Sequence, residues 1–136
     1  MGIKKSQEFD ELQNEVMNWH KNNGGYNGSP AGHALRMLRE VVELCIAAGA
    51  QPKDITTTVS DELKKEMTEN FEHIGRVNIS TLPYEVADVQ LLLMVFAGYQ
   101  QVDIMKLSKH KFEIVLERKW QVDSQGVLWR PGRRPT

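Results

Sequence analysis

The chain has 136 residues, of which 40% are hydrophobic and 26% charged, with a net charge of −1. That length fits one domain able to bury a core without staples, and the balanced charge excludes a molecule that binds nucleic acid through its overall field. A single cysteine, Cys45, excludes an intramolecular disulfide and fits a reducing, cytoplasmic setting. Residues 1–10 are polar and lack the apolar stretch of a signal peptide, and the longest apolar run, Leu91–Ala97, is too short to cross a bilayer.

Phe9, Leu12, Val16 and Trp19 recur at helical spacing and predict a helix from Ser6 to Lys21. The segment from Asn22 to Pro30 holds three glycines and a proline and reads as a loop. A second helix is expected from about Gly32 to Ala48. Between Ala34 and Ala48 its only polar residues are Arg36, Arg39, Glu40 and Glu43, which form one stripe on an otherwise apolar helix. Gly49–Thr58 reads as a turn-rich connection, and Thr58 or Ser60 as the cap of a short charged helix, Asp61–His73. Ser80-Thr81-Leu82-Pro83 has a hydroxyl followed by a first-turn proline, the start of a helix that runs to about Tyr99. Past Asp88 the only polar side chain in it before Tyr99 is Gln90, so this helix has to be covered on most sides. A last helix is expected over Asp103–Trp120, followed by an irregular basic tail, 121–136. The fold class is all-α: a four-helix bundle core with one additional short inserted helix.

Two carboxylate pairs stand out. Glu40 and Glu43, and Glu85 and Asp88, are each spaced i, i+3, so each pair shares a helix face. Glu8/Glu11, Glu66/Glu69 and Glu69/Glu72 have the same spacing but sit in polar surroundings and read as solvated surface. The polar stripe of Glu85 and Asp88, by contrast, stops at Leu92 and Val95, where a solvated face would continue. Four clustered carboxylates repel and need cations. Oxygen-only ligands favour hard ions such as Mg²⁺ or Mn²⁺, and no histidine stands at the Glu-x-x-His spacing of di-iron bundles.

The run Leu38-Arg39-Glu40-Val41-Val42-Glu43-Leu44, followed by Tyr84-Glu85-Val86-Ala87-Asp88-Val89 and a basic helix ending Glu117-Arg118-Lys119-Trp120, resembles the all-α NTP pyrophosphatase superfamily, the MazG-like proteins. The resemblance covers about residues 8–120 and implies a MazG-like domain over 1–120. Two features depart from the family pattern. The spacer Leu44–Tyr84 is longer than usual, and Ile114 and Val115 stand where many members carry an asparagine.

The resemblance implies Mg²⁺-dependent hydrolysis, with Mn²⁺ able to substitute, of a nucleoside triphosphate to monophosphate and pyrophosphate. Glu40, Glu43, Glu85 and Asp88 would hold two or more ions per site. Glu43, or else Glu40, would accept the proton of the attacking water. Lys109, Lys111, Arg118 and Arg39 are the candidates for phosphate contacts, and Arg36 could pair with phosphate or with a carboxylate. Phe9, Gln13, Trp19, Tyr26 and His33 are the candidates for the base pocket. His20 reads as surface, Trp120 and Trp129 as packing or tail anchors, Arg130–Arg134 first as a disordered, solubilising tail and second as a phosphate or nucleic-acid contact, and Cys45 as an inert core thiol. The expected partners are the nucleotide and further copies of the chain, as a homodimer or homotetramer, with no membrane and no nucleic acid. The role that the resemblance implies is nucleotide-pool control, as in small MazG-like proteins including phage-borne ones, with a lean to a deoxynucleotide such as dGTP. The competing readings are a non-catalytic metal- and nucleotide-binding regulator, a plain helical interaction module, and a phosphoribosyl-ATP pyrophosphohydrolase.

Overall fold

A computed structural model describes residues 7–133. The chain is mostly helical, as the periodicity predicts. Five helices follow one another: α1 (Gln7–Asn22), α2 (Pro30–Ala47), α3 (Pro52–Glu69), α4 (Leu82–Tyr99) and α5 (Ile104–Leu116), with a 3₁₀ turn at Phe71–His73. Helix α1 packs on α5, and α2 on α3. No helix among the described residues is long and apolar enough to cross a membrane. Ser6, Arg134 and the rest of the two termini lie outside the described residues.

Local chemistry explains the boundaries. The Ser29 hydroxyl accepts the Gly32 N–H at 3.1 Å and Pro30 opens α2, a cap followed by a preset first turn. Asp103 caps α5 in the same way, accepting from the Lys106 N–H at 3.0 Å. Helix α4 departs from expectation at its start. Thr81 makes no side-chain cap. Asn78 braces the turn that leads into α4, its Oδ1 accepting from the Thr81 N–H at 3.3 Å and from the Ser80 hydroxyl at 2.8 Å. Replacing Asn78 with Ala should cost about 1 kcal/mol of stability through the lost hydrogen bonds, checked by urea denaturation, whereas Thr81→Ala should cost far less.

The inserted helix is longer than expected and starts earlier. It begins at Pro52 after Gln51 and spans 18 residues, where a short helix over Asp61–His73 is the sequence expectation. The run Ile55-Thr56-Thr57-Thr58-Val59 is β-branched throughout and disfavours helix. The run is helical all the same, and Thr56 and Thr58 donate their hydroxyls to the carbonyls of Pro52 and Asp54, at 3.1 and 2.7 Å, so these hydroxyls find partners within the helix.

Over residues 121–133 the tail is not wholly irregular. Gln121–Val122 (β1) and Leu128–Trp129 (β2) pair antiparallel, with Gln121 opposite Trp129 and Val122 opposite Leu128. Val127 and Leu128 are, with Ala97, the buried apolar side chains among the described residues. Asp123 is buried at the centre of the hairpin. Its Oδ1 accepts from the backbone N–H of Gln125 and Val127, at 2.8 and 3.1 Å, and its Oδ2 from the Trp129 indole N–H at 2.9 Å. The glycine loop is bound to this hairpin. Tyr26 N–H donates to the Gly126 carbonyl, Gly28 N–H to the Gln125 carbonyl, and the Tyr26 hydroxyl to the Ser124 carbonyl. Gly126 sits at φ 84°, and a Cβ there would fall 1.9 Å from the Tyr26 carbonyl oxygen, so only glycine fits.

Helix α4 is left largely uncovered. Leu91, Leu92, Met94 and Val95 are each half or more exposed, and Ala97 is its only buried residue. The chain exposes 11393 Å², against about 7,200 Å² for a compact monomer of its mass.

Candidate functional site: a cationic cleft beside an aromatic chamber

The polar stripe of α2 lines one wall of a cleft of about 400 Å³. Arg36, Arg39, Glu40 and Glu43 all reach it, as their shared face requires. Helix α5 and the turn after it supply Lys111 and Arg118 from across the cleft, and the C-terminal hairpin closes it with Trp129, Arg130 and Arg133. Six cationic side chains therefore face two carboxylates.

Within the cleft, Arg36 donates to Glu40 Oε1 at 2.8 Å. This bond is the largest cause holding the Glu40 carboxyl below its ordinary pKa. Burial opposes it, while a hydrogen bond with Glu43 and the charges of Arg36 and Lys111 add to it. The guanidinium carbons of Arg36 and Arg39 lie 4.8 and 5.3 Å from the centre of the Trp129 ring, within cation–π range. The Asp123 bond to the indole N–H fixes that ring, so a hairpin residue sets where two arginines of α2 rest.

A larger apolar chamber of about 860 Å³ abuts the cleft. Arg36, Glu40, Lys111, Val115 and Trp120 line both. Aromatic rings gather at one side of it. Trp19 meets Trp120 edge-on at 5.1 Å and Phe112 at 6.1 Å, and His20 lies 5.5 Å from His33. The Trp19 indole N–H is buried with no hydrogen-bond acceptor among the described residues. Buried donors of this kind are rare in a folded protein.

His20 is more than a surface residue. A Cβ on Gly25 would fall 2.1 Å from its ring, and burial, then the neighbouring His33, hold its pKa below the ordinary 6.5. The folded chain thus binds this proton more weakly than the unfolded chain. The stability His20 lends is complete above pH 6.5 and falls as pH drops through the lower folded value. Urea melts from about pH 8 to about pH 5 should show this decline, with a shallower one in His20→Gln. Equal slopes in the two proteins would assign the decline to other groups.

The expected site residues divide as follows. Glu40, Glu43, Arg39, Lys111 and Arg118 meet in the cleft. Trp19 and His33 line the chamber, while Phe9 and Gln13 do not. Tyr26 lies at the hairpin, its hydroxyl occupied by the Ser124 carbonyl. His33 Nε2 is hydrogen-bonded to the Tyr26 carbonyl at 2.9 Å. Lys109 turns away from the cleft and pairs with Glu8 of α1. Glu85 and Asp88 line neither cavity; α4 reaches the chamber only through Leu93, Phe96 and Ala97. Each carboxylate pair is an oxygen donor set suited to a hard divalent ion. The two pairs stand on separate helices, α2 and α4, and among the described residues no three His, Cys, Asp or Glu lie close enough to hold an ion. Trp129, Arg130 and Arg133 are the site residues that the sequence left in the tail.

The chain matches no family model, no curated protein and no solved structure.

Proposed function

We propose that this chain is a divalent-metal-dependent nucleoside triphosphate pyrophosphohydrolase of the MazG-like all-α kind, acting in nucleotide-pool control. The observation that carries the reading is the junction of two cavities: an aromatic, apolar chamber opening beside a cleft rich in arginine and bordered by Glu40 and Glu43. A nucleoside needs the first and its triphosphate the second. In the reaction, the oxygen of a water bonds to the α-phosphorus, the α–β anhydride bond breaks, and pyrophosphate leaves with the bonding electrons. Glu43 takes the water's proton; Glu40, held ionised by Arg36, is the second choice. A divalent ion, when bound, supplies charge neutralisation on phosphate oxygens and a lowered pKa for water.

The site is completed on assembly. A second copy lying on α4 would cover its exposed leucines and bring its own Glu85 and Asp88 toward Glu40 and Glu43. A homodimer is the smallest assembly that does so, and a homotetramer is two of them. The substrate lean remains a deoxynucleotide, with dGTP first. Incubating the folded protein with Mg²⁺ and each ribo- and deoxynucleoside triphosphate, with chromatography of the products, tests this. The expected products are one monophosphate and pyrophosphate; no release from any nucleotide sinks the enzyme reading.

A further inference from the structure

We propose that the C-terminal hairpin completes a binding site for a linear chain of phosphates, in which Arg130 and Arg133 act together with Arg39 and Arg118, and that this site works without metal. Inorganic tripolyphosphate is its simplest ligand. The proposal rests on the reading above only in naming a nucleotide's triphosphate as the natural carrier of that chain.

Charge is the first argument. Arg36, Arg39, Lys111, Arg118, Arg130 and Arg133 share one cleft of about 400 Å³ with Glu40 and Glu43. Of the six cations only Arg36 has an ion-pair partner among the described residues. Like charges held this close repel unless an anion lies between them. A single phosphate would not span cations supplied by α2, α5 and the hairpin; a chain of phosphates would.

The second argument is rigidity. The hairpin is no loose basic tail. Asp123 holds it with three hydrogen bonds, and the Arg133 N–H donates to the Arg130 carbonyl at 3.0 Å, fixing the turn that carries both arginines. Guanidinium groups on a fixed backbone meet phosphate oxygens in pairs with little loss of freedom.

The third is the resting place of the α2 arginines. Arg36 and Arg39 lie over Trp129, 4.8 and 5.3 Å from its centre. Stacking on a ring is weaker than a charge-assisted pair between guanidinium and phosphate, so a phosphate chain outcompetes it. Binding therefore changes what touches the indole, and Trp129 reports it.

The experiment titrates inorganic tripolyphosphate into the full chain in EDTA at low salt, followed by calorimetry and tryptophan fluorescence. The expected result is one saturable site per chain, weakened by added salt. Arg130→Ala with Arg133→Ala should weaken binding at least 10-fold, and Arg118→Gln, on the opposite wall, at least 3-fold. The paired control Lys64→Ala with Lys65→Ala removes the same charge from α3 and should leave binding within 2-fold. Trp129→Phe should remove most of the fluorescence change. Circular dichroism confirms that each variant is folded. Equal binding by the Arg130/Arg133 variant and the wild type would overturn the proposal. So would an equal loss in the Lys64/Lys65 control, orthophosphate binding as tightly as tripolyphosphate, or a single-stranded oligonucleotide displacing tripolyphosphate at lower concentration. The two readings fail separately. Tripolyphosphate binding without nucleotide turnover leaves this site and removes the enzyme; turnover with no effect of the hairpin arginines does the reverse.

Discussion

Mixed with Asp88→Asn chains, an inactive Glu43→Gln protein should regain turnover. Either variant alone should lose at least about 100-fold in rate, since each removes a charge from the proposed metal site, while helical content by circular dichroism stays unchanged. The reason to expect recovery is geometric. Glu40 and Glu43 line the cleft, whereas Glu85 and Asp88 stand near the start of α4 and line neither cavity. From Asp88 to Phe96, where α4 meets the chamber, the helix rises about 12 Å. If a partner's α4 supplies the second pair, a mixed dimer holds one site with four native carboxylates and one with two changes. After unfolding and refolding an equal mixture, roughly a quarter of all sites are intact, so about a quarter of the wild-type rate returns. If both pairs come from one chain, every site in the mixture carries a change and the rate stays low. Full activity in both single variants would remove these carboxylates from the reaction altogether.

Asp123→Ala should destabilise the chain strongly. It leaves the Gln125 and Val127 N–H groups and the Trp129 indole N–H without their acceptor. A buried carboxylate with three donors is worth about 3 kcal/mol on removal, which for a chain of this length lowers Tm by about 10 °C. Val127 and Leu128 would lose their cover, and Trp129 would leave Arg36 and Arg39. Asp123→Asn keeps an acceptor for the backbone and should lose about half as much. Differential scanning calorimetry with tryptophan emission reads both effects. A melting point unchanged in Asp123→Ala would show that the hairpin does not depend on this residue.

The parts of the site that were legible in the sequence are those written in helical spacing. Arg36, Arg39, Glu40 and Glu43 recur as one stripe because a helix repeats every 3.6 residues, and the structure lays that stripe along the cleft. Lys111 and Arg118 followed from the basic character of the last helix. Lys109 did not, because its partner Glu8 lies 101 residues away in the chain. Trp129, Arg130 and Arg133 read first as tail for a different reason. Strands of two residues carry no periodicity, and glycine and proline nearby suggest an irregular tail. Their order comes from Asp123 and from the glycine loop at residues 24–28, a contact across the whole chain that no local pattern encodes. The early start of α3 was masked by its β-branched run, whose hydroxyls bond back to the helix only once it exists. The two carboxylate pairs illustrate the limit most directly. Spacing tells which acids share a face, and says nothing of whether two faces meet within one chain.

The measurement that bears most directly on the central claim is the product pair formed from a triphosphate labelled at its γ-phosphate. Labelled pyrophosphate and unlabelled monophosphate should form in equal amounts, dependent on Mg²⁺ or Mn²⁺ and abolished by Glu43→Gln. Labelled orthophosphate with a diphosphate, or an unchanged substrate across all ribo- and deoxynucleotides, would contradict it.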